Sequence, residues 1–72
     1  SSFVSRSSDA LITSKVKTSL IGTDGTRVKV VTENGTVYLM GLLYRNEADA
    51  VVKQAQQVGG VQRIVKVFEY LD

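Results

Sequence analysis

Ile12, Val16 and Leu20 recur every fourth residue, the spacing that stacks side chains along one side of a helix. Ser8 and Asp9, just before them, are residue types that cap helix N-termini. The pattern predicts a first helix over residues 9–21, stopped by Gly22, with turn-forming residues across 22–26. Ahead of it, residues 1–8 are serine-rich with only Phe3 and Val4 apolar, and read as a flexible leader.

From residue 27 to 33 the pattern changes to β-branched residues in alternation, and it resumes over residues 36–41 after Asn34-Gly35. Asn-Gly between two such runs predicts a hairpin, because a type I′ turn needs positive φ at both central positions. A two-residue turn also fixes register, setting Glu33 opposite Thr36, Thr32 opposite Val37, Val31 opposite Tyr38 and Val30 opposite Leu39. Val28, Val30, Thr32, Val37 and Leu39 then share one face, and Lys29, Val31, Tyr38 and Met40 the other.

Residues 45–58 return to helical spacing, with Ala48, Val51, Val52, Ala55 and Val58 on one side and Lys53, Gln54, Gln56 and Gln57 on the polar side. Gly59-Gly60 ends this second helix, and the β-branched, apolar stretch over residues 61–71 predicts a third strand. The expected fold is α+β, a two-layer αββαβ sandwich with two helices packed on one face of a three-stranded sheet. In the last strand Ile64, Phe68 and Tyr70 alternate with Val65, Val67 and Leu71, so one set joins Val31, Tyr38 and Met40 on the uncovered face. Val31, Tyr38, Met40, Val65 and Val67 are thus the candidate domain or partner interface.

Composition narrows the chemistry. The 72 residues contain no histidine, cysteine or proline, which removes zinc sites, Cys or His nucleophiles, a Ser-His-Asp triad and disulfides. Glu47 and Asp49 sit where negative charge offsets a helix dipole, with no nucleophile or oxyanion site beside them. No catalytic residue, metal or cofactor is expected, and a binding module remains. A net charge of +2 permits an anionic partner without requiring one. No apolar run reaches the roughly 20 residues needed to span a bilayer. The chain opens on Ser1, not Met, as an excised domain or mature fragment would, so an anchor is expected outside it.

Taken in order, Asp9-x-x-Ile12-x-x-x-Val16-x-x-x-Leu20, Val28-x-Val30, Asn34-Gly35-x-Val37-x-Leu39-x-Gly41, an Ala48-containing helix and Gly60-Val61 resemble a BON domain over residues 9–72. The hairpin is especially similar to the second domain of dual-BON outer-membrane lipoproteins of Gram-negative bacteria. The resemblance implies a non-catalytic module of the periplasm, associated with the outer membrane, phospholipid binding and envelope integrity. It also implies that the first helix meets anionic phospholipid, with a second BON domain or another envelope protein as a further partner. The family's lipid-facing tryptophan near the helix start falls on Leu11 here, which keeps an apolar group without the indole's interfacial preference.

With Ile12, Val16 and Leu20 inward, Leu11, Ser14, Lys15 and Thr18 fall on the outer side of that helix. Leu11 among acyl chains, Lys15 and Lys17 at phosphate level, and Ser14 and Thr18 as polar neighbours make the candidate lipid-binding set. The same residues also suit a solvated helix face with one exposed leucine. Two other readings stand beside it. One is a protein-interaction module using the open sheet face. The other is a KH-like nucleic-acid binder drawing on Arg6, Lys15, Lys17, Arg27 and Lys29; against it, Gly22 and Gly25 enclose Thr23-Asp24 and not a basic pair, so no nucleic acid is expected.

Overall fold

The computed structural model describes residues 3–20 and 27–72. The hairpin forms as its turn chemistry dictates: Asn34 and Gly35 take φ of 49° and 80°, both left-handed. Strand β1 (Val28–Glu33) and strand β2 (Thr36–Leu43) pair antiparallel in the expected register, from Glu33 opposite Thr36 to Val28 opposite Gly41. Strand β3 (Arg63–Tyr70) lies parallel to β2 on its other side, giving the order β1-β2-β3. Helix α1 (Phe3–Ser19) packs against β1, and helix α2 (Arg45–Gln56) links β2 to β3 and packs on them. The two-layer α+β fold is therefore present, with both helices on one side of the sheet.

Burial follows the alternation. Val28, Val30, Val37, Leu39 and Leu43 of the sheet meet Ile12, Val16 and Leu20 of α1 and Ala48, Val51 and Ala55 of α2. No β3 residue is fully buried; Ile64 and Phe68 pack partly against the core, so they are the inward set and Val65 and Val67 face out. Among the described residues no buried side chain is polar or charged.

Element boundaries differ from the sequence expectation in informative places. Helix α1 begins at Phe3, so residues 3–8 are helical and not a loose leader. Nothing from Phe3 to Leu20 is glycine or proline, and extending an existing helix costs far less than nucleating one. Residues 1–2, the helix end at 21, Gly22 and the loop over 22–26 lie outside the described residues. Strand β2 runs on through Gly41 to Leu43, two residues past the expected end. Gly41 is a mid-strand close approach: a Cβ there would stand 2.7 Å from the main-chain oxygen of Arg27.

Asp9 is not at a helix start. It lies inside α1, and its carboxylate accepts hydrogen bonds from the main-chain N–H groups of Asn34 (2.8 Å) and Gly35 (3.0 Å) at the hairpin turn. Two neighbouring contacts fix the same junction. Thr13 Oγ1 donates to Thr32 Oγ1 at 2.8 Å, and Gly60, at φ +97°, leaves room that a Cβ would fill 3.2 Å from Ile12. Gly35 in turn presents its carbonyl to the N–H groups of Gln62 (2.9 Å) and Arg63 (3.4 Å), where β3 begins.

At the opposite end, Glu47 Oε1 accepts the N–H of Tyr44 at 2.9 Å, the returning half of a helix capping box. Asp72 Oδ1 accepts the N–H of Arg45 at 3.2 Å, and the Arg45 guanidinium lies 4.5 Å from the centre of the Tyr70 ring. These contacts hold the chain end against the α2 N-terminus.

Replacing Asp9 tests how much the turn clamp contributes. Asp9→Ala should lower unfolding stability by about 1–2 kcal/mol, as expected for charge-assisted hydrogen bonds at a partly exposed site. Asp9→Asn, which keeps one acceptor, should lose less. Urea titration should show a lower midpoint with unchanged slope.

Candidate functional site

The described residues hold no group of His, Cys, Asp and Glu able to bind a metal ion, and the fully buried set is apolar. Two surfaces carry the residues singled out from sequence.

The first is the outer side of α1. Burying Ile12, Val16 and Leu20 against β1 turns Leu11 outward, leaving it 56% exposed, and Ser14, Lys15, Lys17 and Thr18 are exposed as well. Leu11, Ser14, Lys15 and Thr18 adjoin one another at helical spacings of three and four. Thr18 Oγ1 donates to the Ser14 carbonyl oxygen at 2.9 Å, which turns its hydroxyl back onto the helix. Lys17 stands apart: six residues from Leu11, it is rotated roughly 120° around the axis, on the far flank of Ser14. Neither Lys15 nor Lys17 has a carboxylate partner among the described residues, where the ion pairs are Arg27 with Glu47 and Arg45 with Asp72, both at 3.9 Å. A flat anionic surface touching Leu11 would thus meet Lys15 directly and Lys17 only from the side.

The second surface is the sheet face turned away from the helices. Register places Val31, Tyr38 and Val65 in one row across the three strands, and Lys29, Met40 and Val67 in the next. Val31 is 39% exposed and Val67 52%, while Tyr38, Met40 and Val65 are half-buried. All five residues expected on this face are there. Sequence reasoning missed a sixth, Leu42, at 49% exposure. Ending the strand at Gly41 hid it, although the alternation from Tyr38 through Met40 continues to it.

No helix among the described residues is long and apolar enough to cross a membrane. The Gly22–Gly25 loop weighed in the nucleic-acid reading lies outside the described residues.

Comparison with known proteins settles the family. The sequence matches the BON domain family model over residues 8–72. This chain is a BON domain. Among curated relatives it is 40% identical, over 99% of its own length and 38% of the relative's, to a protein named outer membrane lipoprotein DolP from Haemophilus influenzae. It is 41% identical, over 88% of its length and 34% of the relative's, to a protein named 21 kDa hemolysin from Actinobacillus pleuropneumoniae. The BON domain thus corresponds to little more than a third of each relative.

Because Leu11 is exposed and lies outside the buried core of this BON domain, its side chain should be dispensable for folding. Leu11→Ser should change unfolding stability by no more than about 0.5 kcal/mol in urea or thermal melts.

Proposed function

We propose that this BON domain is a non-enzymatic phospholipid-binding module that supports outer-membrane and envelope integrity, docking on anionic membrane surfaces through α1. The observation that carries the reading is Leu11, exposed on the outer side of α1 beside Lys15, a cation with no carboxylate partner among the described residues. Leu11 enters the acyl boundary, Lys15 sits at phosphate level with Lys17 flanking, and Ser14 and Thr18 face the headgroups. A relative named as an outer membrane lipoprotein supports placing the domain in the periplasm, associated with that membrane.

Magnitudes define the mode of binding. A buried leucine contributes about 2 kcal/mol and each nearby cation about 1 kcal/mol. That sum gives weak, reversible attachment, so the domain works beside a second attachment such as a lipid anchor or a further copy. Membrane binding of this kind falls as salt rises, because the lysine contribution is screened.

The open sheet face supports a second reading as a protein interface, for a second BON domain or another envelope protein. Its contiguous Val31, Tyr38, Met40, Val65 and Val67 favour it.

Vesicle flotation separates the two. The domain should float with phosphatidylglycerol vesicles and not with phosphatidylcholine vesicles, and Leu11→Asp should abolish flotation while the circular dichroism spectrum stays native. At the millimolar lipid that attachment this weak requires, wild-type chain that floats no better with anionic than with zwitterionic vesicles, or Leu11→Asp that floats as well as wild type, would remove α1 from the account and leave the sheet face.

A further inference from the structure

Strand β1 has β2 on one side and no strand on the other among the described residues. In a two-residue type I′ hairpin the Thr36 N–H donates to the Glu33 carbonyl oxygen, so with this register Glu33, Val31 and Lys29 direct their main-chain groups toward β2. By alternation the N–H and C=O groups of Val28, Val30 and Thr32 point away from the sheet, a template for another strand. The edge has no proline, no bulge and no charge on the inner face, where Val28, Val30 and Thr32 stand; its charged residues, Lys29 and Glu33, lie on the outer face. A groove of about 570 Å³ runs beside it under α1, lined in part by Ala10, Thr13, Val30 and Thr32.

We propose that β1 pairs with β1 of a second copy of this chain, antiparallel about a two-fold axis through Val31, to form a continuous six-stranded sheet. The outer-face pattern Lys29-x-Val31-x-Glu33 is its own complement under that axis. Val31 meets Val31 of the partner copy, and Lys29 meets Glu33 of the partner copy on both sides of the axis. Both Lys29 and Glu33 are exposed, and neither has an ion partner among the described residues. These contacts fall at non-hydrogen-bonded pairs, where side chains stand closest, while the free groups of Val30 and Thr32 form the hydrogen-bonded pairs. On the inner side the partner copy's Val30 and Thr32 enter the groove beneath Ala10 and Thr13.

The other edge does not serve. The antiparallel register of β3 on itself that matches Arg63 to Glu69 sets Lys66 opposite Lys66 of the other copy, and like charges directly opposite destabilise a pair. Lys66 lies in register with Leu39, on the inner side of an edge strand, which is a recognised guard against edge pairing. A two-fold axis perpendicular to the sheet keeps both α1 helices on one side. On the membrane-docking reading above, the pair then offers two Leu11 and Lys15 faces to one surface and gains avidity; the pairing itself does not depend on that reading.

The test is made without lipid, on the 72-residue chain. Sedimentation equilibrium should show a monomer–dimer equilibrium. Lys29→Glu or Glu33→Lys alone should weaken it about tenfold or more, since each change sets like charges opposite twice. The double variant Lys29→Glu/Glu33→Lys should restore it, with circular dichroism confirming the native fold in every case. Amide exchange at Val30 and Thr32 should slow as concentration rises. A chain that stays monomeric to millimolar concentration, single variants that dimerise like wild type, or a double variant that stays weak overturns the pairing. So does a dimer whose concentration-dependent protection falls on β3 or leaves Val30 and Thr32 unprotected.

Discussion

The carboxylate of Asp9, bridging α1 to the N–H groups of the hairpin turn, sets the geometry on which the rest of this domain depends. The apolar stripe of Ile12, Val16 and Leu20 decides which side of α1 meets the sheet, but burial is non-directional and sets the position of the helix along the sheet less sharply. The two hydrogen bonds to Asn34 and Gly35 remove that freedom at one point. The Thr13–Thr32 hydroxyl pair and the contact between Gly60 and Ile12 remove it at two more. Stripe and clamp agree, so Ile12, Val16 and Leu20 point at β1, and Leu11 and Lys15 point away. Gly35 also receives the start of β3 through its carbonyl, so the same two-residue turn organises one helix and all three strands.

From that constraint the surfaces follow. Both helices occupy one side of the sheet, so the other side carries a contiguous apolar row that no helix among the described residues covers. Three strands also leave two edges, and they differ in kind. The β3 edge carries an inward-side lysine, and the β1 edge carries a self-complementary Lys-Val-Glu pattern on its outer face. The membrane-docking face proposed for α1 lies on the same side as the helices, opposite the apolar sheet face, so the two surfaces can be occupied at once.

Much of this was legible in the chain because it rests on local chemistry. Asn34-Gly35 determines the turn, the turn determines the register, and the register sorts residues between faces without reference to anything distant. Helix faces follow from spacing in the same way, which is why Leu11, Lys15 and Thr18 were found together. What escaped was long-range or depended on context. Asp9 next to Ser8 looks like a cap, and no local signal reveals that its acceptor role is directed at residues 34 and 35. Gly41 looks like a strand end because glycine disfavours strands. Its real reason, the main chain of Arg27 pressing against it, exists only after β1 and β2 have paired, and Leu42 was lost with it. The Ser-rich start reads as loose because serine competes weakly with helical bonding, yet no breaker separates it from a helix already nucleated. Lys15 and Lys17 both read as phosphate-level cations, and helical rotation sends the two to different flanks.

The most direct test of the central claim, that the fold holds the Leu11–Lys15 face of α1 free for an anionic bilayer, is residue-resolved. Backbone amide spectra would be recorded with phosphatidylglycerol nanodiscs and with phosphatidylcholine nanodiscs. Selective broadening of Leu11, Ser14, Lys15 and Thr18 in the anionic discs alone, with Val31, Met40 and Val67 unaffected, is the predicted result. Broadening centred on Val31, Met40 and Val67, or equal effects in both lipids, would contradict it.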